Sequence, residues 1–368
     1  PEPYRGRPDR GASTSHPSLG FNGQVNFSSH ASTRYGVIDR GELYTINSGG
    51  GTGFTFVKRS SRSGQEELLA REALPESLRR QYVTSPDVYT GGLGYVQSTD
   101  VLLIELSNLD IPSPLVEPVL IDNPKSCPGA RPAMESFAEL VRIAAATHLD
   151  VDLTELYVGT QTLRSDETSA GWTRRVFIAD SLENGAGYAR HLADPVEFVD
   201  MMQRIGSLKW ISDPDHEDEC TTSCKRCLRH FDNRFKHRFL NWRLGLDAYD
   251  LSQGRSLDLS RWTKLTQTLM SGFINGWSAA FAQEGRALEV FEGQGPVVAI
   301  QNKHDGHAVV FGHPLWRLET AYRTHEQQEM VTEVNRHSNP DKSVTFSSPL
   351  GLLNDQSRIA YSLFNGES

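Results

Sequence analysis

Three of the chain's four cysteines, Cys220, Cys224 and Cys227, fall within eight residues, in the run Cys-Thr-Thr-Ser-Cys-Lys-Arg-Cys. Clustered thiols on short spacers converge on one soft cation, and C-x2-C at a tight turn supplies two ligands of a tetrahedral zinc site. The alternatives are free buried thiols or a single disulfide. Cys127 lies far away in sequence, so the chain is no disulfide scaffold, and few clustered cysteines suit a reducing compartment and a metal. The expectation is structural Zn2+ in a cytoplasmic protein.

A structural zinc needs a fourth ligand. The candidates are His237, His230, His216 and Cys127. His230 is close enough to strain a site already holding three neighbouring ligands. His216 sits in the acidic run 213–219, read as a mobile loop. Cys127 requires a long-range return of the chain. His237 follows Cys227 by ten residues, which in a continuous helix is about 15 Å. It becomes the expected ligand if residues 228–234 loop back, as Asp232-Asn233 permits. Helical spacing of Phe231, Phe235, Phe239 and Trp242 argues the other way. Three thiolates favour a closed structural site over an open Lewis acid. A deaminase is excluded, because neither its His-x-Glu nor the Pro of its Pro-Cys-x2-Cys is present.

Charge is polarised around the cysteines. Acids crowd 213–219, whereas Lys225, Arg226, Arg229, Arg234, Lys236 and Arg238 follow in a chain whose net charge is −9. That net charge opposes wholesale coating of nucleic acid but not a local basic patch. Basic side chains interleaved with aromatics suit phosphate contacts and base stacking, and these six are the candidate nucleic-acid ligands. The competing reading is an amphipathic helix with core aromatics and a solvated basic face.

At 368 residues the chain exceeds one ordinary core. The expected organisation is a flexible tail or linker over 1–20, a zinc-stabilised accessory domain over 21–258 and a smaller α/β domain over 259–368. The fold class is mixed α+β. The chain begins at Pro1, which reads as a fragment or a processed form. It carries no signal-peptide pattern and no apolar run of membrane-spanning length.

Strands are expected at 37–47 and 54–57, joined as a hairpin by the glycines of 48–53, and at 101–106, 156–159 and 175–180. Residues 62–82 read as surface helix or loop. Helices are expected from Pro132 to about His148, over 195–205 and from Trp262 to Trp277. The C-terminal part adds strands at 288–291, 296–300, 308–311 and 344–346, and a helix at 321–337. Strand 175–180 runs through Asp180-Ser181-Leu182-Glu183-Asn184-Gly185-Ala186-Gly187 into a helix. That arrangement presents a helix N-terminus to an anion, and makes Asp180 and Glu183 candidate metal or acid/base groups. The bland reading is a tight turn.

The segment Val176 to Ala189, the cysteine cluster and Leu240-Asn241-Trp242-Arg243-Leu244 together resemble the zinc-binding domain at the C-terminal end of bacterial DEAD/DEAH-type superfamily 2 helicases, the MrfA-type domain. The resemblance covers roughly 35–250 and includes the strands at 41–57 and 101–106. It implies a metal-stabilised accessory region of a helicase in DNA repair or anti-phage defence (DISARM, Druantia). Its partners are DNA, single strands included, and a motor on the same polypeptide or a partner subunit. Some members carry a further cysteine where this chain has Asn233. Residues 259–368 lie outside the resemblance. There Glu289, Glu292, Lys303 and Asp305 suggest the alternative, a metal-dependent nuclease. No Asp-x(n)-Glu-x-Lys pattern is present, so a degenerate nuclease-like unit is expected, with His304, His307 and His313 as turn and strand histidines.

The sequence contains neither G-x4-G-K-[ST] nor a DEAH box, since Asp215-His216-Glu217-Asp218 is not one. The purified chain is expected to show no nucleic-acid-stimulated ATP hydrolysis in a phosphate-release assay, and measurable turnover would sink that expectation.

Overall fold

The computed structural model describes residues 18–20, 25–47, 53–60, 66–70, 76, 88–107, 115, 126–164, 172–211, 213–293, 297–337 and 344–366. Most of the expected tail, the glycine run at 48–52 and much of 62–82 lie outside these.

The first half is built from β1 (Ser18–Leu19), β2 (Ser28–His30), β3 (Thr33–Asn47), β4 (Phe54–Ser60), β5 (Glu66–Ala70), β6 (Val88–Gly91) and β7 (Leu93–Leu106). Helix α1 (Ala130–Leu149) follows, then β8 (Leu156–Arg164) and β9 (Trp172–Asp180). One sheet has the order β1-β3-β7-β9-β8, with β2 also on β3. Its two ends approach each other, and Gln161 Nε2 donates to the Leu19 carbonyl across the gap (2.6 Å).

The expected hairpin between 37–47 and 54–57 does not form. β7 takes up β3 from Thr33 to Asn47, and β4 pairs instead with β5 and β6 in a separate sheet. Residues 66–70, expected as helix or loop, supply strand β5.

α1 lies across one face of the large sheet. Met134, Phe137, Leu140, Val141 and Ala144 are buried, as their spacing predicts. Its other faces are buried too. Glu135, Glu139 and Arg142 are therefore enclosed, and ionic groups so placed need partners. Lys236 lies 3.1 Å from Glu135, and Arg142 pairs with Asp232. Burial opposes ionisation of Glu135, yet Lys236 and Arg174 hold its carboxyl down to about 2.

After β9 come α2 (Tyr188–His191) and α3 (Pro195–Gly206), then α4 (Pro214–Glu219), a 3-10 turn at Arg234–Phe239 and α5 (Trp242–Ser252). Asp180 is fully buried where β9 meets α2. Its Oδ2 accepts from the amides of Ala186, Gly187 and Tyr188 (2.7, 2.7 and 3.1 Å), and its Oδ1 from Ala189 (2.9 Å). The anion at this helix start is thus the protein's own carboxylate. Both Asp180 oxygens are therefore taken up by the protein's own amides rather than left open to an external ligand. Gly185 and Gly187, with φ of 77° and 86°, let the loop fold over it.

The rest comprises α6 (Ser260–Gln283), β10 (Leu288–Glu292), β11 (Val298–Asn302), β12 (Ala308–Phe311), α7 (His325–His337), β13 (Val344–Ser347), α8 (Pro349–Asn354) and α9 (Gln356–Asn365). The sheet order is β10-β11-β12-β13, antiparallel except for β12–β13, whose parallel pairing needs the crossover that carries α7. Residues of α6 and α9 form a core with one face, α7 with the other.

Buried contacts cross the expected 258/259 boundary. Trp262, Leu265, Leu315 and Leu350 join the core around α1. Asp247 in α5 is fully buried, pairs with Arg261, accepts from Trp262 Nε1 (2.9 Å) and lies 3.0 Å from His313 Nε2. The Gly129 amide, at the start of α1, donates to the Pro314 carbonyl (3.1 Å).

Replacing Asp180 by Ala leaves four amides without their acceptor and is expected to destabilise the chain by about 3 kcal/mol, read by urea denaturation. Glu183→Ala, on an exposed side chain, is expected to leave the midpoint in place.

Candidate metal centre

Asp213 and Pro214 open α4. The Asp213 carboxylate accepts from the Asp215 amide (3.1 Å), and Pro214 occupies the first turn, where a missing N–H costs nothing. His216 and Cys220 stand four residues apart on this turn of helix, hence on one side. The Cys220 amide donates to the His216 carbonyl (2.9 Å) as the helix ends.

The chain then returns as a knuckle. The Cys224 amide donates to Cys227 Sγ (3.1 Å) and the Arg226 amide to Cys224 Sγ (3.3 Å), while the amides of Cys227 and Arg229 close on the Cys224 carbonyl.

The ligand atoms of His216, Cys220, Cys224 and Cys227 all lie within 4.8 Å of one another, and this group could hold a metal ion. Cys220 Sγ is 3.9 Å and Cys224 Sγ 3.8 Å from Cys227 Sγ. A tetrahedron with metal–sulfur bonds of about 2.3 Å has a sulfur–sulfur edge of about 3.8 Å. A disulfide needs about 2 Å, and the three thiols are free. His216 is buried, its ring held near Trp210 (5.1 Å between centroids) and Trp242 (5.4 Å). Its Nε2 is enclosed without a hydrogen-bond partner, the condition of an atom kept for a ligand.

Helix α5 pins the centre from behind. Trp242 Nε1 donates to the Cys220 carbonyl (2.9 Å), the Trp242 amide to the Thr222 carbonyl (2.8 Å), and Arg243 Nη1 to the Thr221 carbonyl (3.1 Å). The Cys220 sulfur and the Cys224 amide lower the Cys227 thiol pKa against the opposing effect of burial, and Cys227 in turn pushes Cys220 up.

The expected fourth ligand, His237, is not in this group. Its Nε2 meets the His230 carbonyl (3.0 Å) and Asn233 Oδ1 (2.9 Å). Asn233 is fully buried and closes the turn after the knuckle, accepting from the His230 amide and donating to the Leu228 carbonyl (both 2.9 Å). The chain does loop back, but it brings His237 to Asn233 rather than to the thiols. Cys127 lies beside the Pro314 carbonyl (3.7 Å). The signal for His216 was His-x3-Cys behind an Asp-Pro helix start.

The basic residues divide. Lys236 is buried against Glu135 and Glu139, so it is withdrawn from any nucleic-acid surface. Arg226 is exposed but paired with Glu219 (2.5 Å) and Asp213 (3.5 Å), and Arg229 donates to Ser223 Oγ (2.9 Å). Lys225, Arg234 and Arg238 are exposed. Arg234 stacks on Phe231, which is 83% exposed, and Phe239 carries both Arg131 and Arg238 on its ring. The aromatics are therefore not one helical core stripe.

Of the nuclease candidates, the Glu292 side chain lies outside the described ones. Glu289 pairs with Lys303 (2.6 Å), and Asp305 with Arg286 (3.0 Å). Among the described residues no helix is long and apolar enough to cross a membrane.

No family model matches the chain. Over 155 residues it is 31% identical to the Druantia protein DruE of Escherichia coli (strain UMEA 4076-1), a stretch equal to 42% of this chain and 8% of DruE. The chain thus spans a small fraction of that relative's length. The crystal structure of the DUF1998 helicase MrfA bound to DNA matches 65% of this chain and 25% of its own at 11% identity, with a TM-score of 0.35. That likeness is too slight to equate the two folds.

His216→Ala is expected to weaken metal binding by at least about 10-fold and lower the thermal midpoint of the loaded protein, read by chelator competition and differential scanning calorimetry. His237→Ala is expected to leave the metal affinity unchanged, and the reverse pattern would restore His237 as the ligand.

Proposed function

We propose that this chain is a zinc-stabilised accessory region of a superfamily 2 helicase in anti-phage defence or DNA repair, docking the motor and holding nucleic acid beside the metal centre. The similarity to the Druantia protein DruE carries this reading, and the agreement of the donor set with a structural zinc site supports it. We read residues 21–258 as the accessory domain and 259–368 as its C-terminal companion.

Three thiolates and one imidazole suit zinc. Four protein ligands leave no open position, so the ion supplies fold rather than Lewis-acid chemistry. Cys220, Cys224, Cys227 and His216 would hold it, and α5 keeps their backbone in place. Zinc then fixes the path of residues 220–228, from which the following basic segment departs.

That segment is where nucleic acid is held. Arg234 on Phe231 and the arginines on Phe239 combine charge for phosphates with aromatic faces for bases. Lys225 adds a further exposed cation. Lys236 acts from below, neutralising Glu135 so that the segment stays seated on α1.

Fluorescence anisotropy with a labelled single-stranded oligonucleotide tests the reading. Affinity should fall with salt, with a slope of about −0.7 per phosphate contact in a log–log plot. The Arg234→Ala/Arg238→Ala variant should bind more weakly with an unchanged thermal midpoint. Absent or salt-independent binding would shift the role to protein docking alone.

A further inference from the structure

Beyond the thiol centre, one other group among the described residues gathers donor atoms at metal-ligand spacing: His148, His191 and Glu197, again within 4.8 Å of one another. The three come from three elements. His148 sits in the last turn of α1, His191 ends α2, and Glu197 lies in the first turn of α3. His148 Nε2 is 2.7 Å and His191 Nε2 3.4 Å from the same oxygen, Glu197 Oε2. The two imidazole rings lie 6.5 Å apart and are nearly parallel, at 19°.

Exposure is graded across the group. The His148 side chain is 9% exposed, Glu197 32% and His191 54%. His148 is therefore held in the protein, Glu197 is half-buried and His191 faces solvent. Two imidazoles and a carboxylate suit a borderline divalent ion such as Zn2+, and three protein ligands leave positions for water or an outside donor.

We propose that His148, His191 and Glu197 form a second, exchangeable divalent transition-metal site on the surface. It does not rest on the helicase reading. An ion here staples the end of α1 to α2 and α3.

Arg204 sets the occupancy. Its Nε donates to His148 Nδ1 (3.0 Å), which places the imidazole proton on Nε2, the atom a metal needs. Binding therefore requires that proton to leave or move to Nδ1, with Arg204 turning away. Arg204 is exposed in the last turn of α3 and free to do so. The guanidinium is thus a built-in competitor that keeps the site weaker than the thiol centre.

The test uses the full chain with its thiol centre already filled, titrated with Zn2+ by isothermal calorimetry at pH 7.5. A second, weaker equivalent is expected. It should be lost in His191→Ala, on an exposed side chain, and in the isosteric Glu197→Gln. The thiolate-to-metal charge-transfer band of the cobalt-substituted protein should remain in both variants, reporting an intact thiol centre. Arg204→Ala should bind the second equivalent more tightly. A wild-type chain with no second equivalent, or one that persists in both variants, overturns the proposal. Weaker binding in Arg204→Ala does the same.

Discussion

Helix α1 buries two glutamates and an arginine at the centre of the molecule, and the elements around it are arranged to answer those charges. Desolvating an ionised side chain costs several kcal/mol unless a partner is close. Glu135 meets Lys236 from the segment after the knuckle and Arg174 from β9, while Arg142 meets Asp232. The sheet on one side and the post-knuckle segment on the other are thereby fixed against the same helix. Breaking one pair leaves its partner charged in the interior, so these contacts select a single arrangement of the layers more than they add net stability.

The metal centre belongs to the same logic. It is assembled from a six-residue helix and a knuckle, elements too short to hold their own shape. Two supports compensate. Behind the centre, Trp242 and Arg243 bind the carbonyls of 220–222. Beyond it, Asn233 closes the chain onto itself before Lys236 reaches Glu135. An ion held by His216 and the three thiols would add a cross-link across residues 216–227 that backbone hydrogen bonds do not make.

Periodicity made the central elements legible. Helix α1, helix α3, β8, β9 and most strands of the C-terminal sheet stand where their apolar spacing puts them. Three thiols in a short run made their gathering at one point legible too. That His216 joins them was not, because an acidic loop and a short acidic helix look alike until the Asp-Pro start is weighed with His-x3-Cys. Lys236 was equally opaque, since a lysine among arginines reads as surface until its acidic partners, about a hundred residues earlier, are brought to it. The strand partner of β3 was hidden for the same reason. A glycine-rich link suggests a local hairpin, whereas β7 competes for those hydrogen bonds from far along the chain.

The fastening of α1 at its first turn carries a mechanical consequence. The Gly129 amide is bonded to the Pro314 carbonyl, and a side chain there would have its Cβ 2.6 Å from that oxygen, so the two backbones are in direct register. From that point α1 runs about 30 Å to the turn that holds His148. It is held to the C-terminal sheet's loop at one end and carries the half-buried His148 of the imidazole–carboxylate cluster at the other. The helix thus ties the position of His148 to that of the loop after β12 through one continuous element.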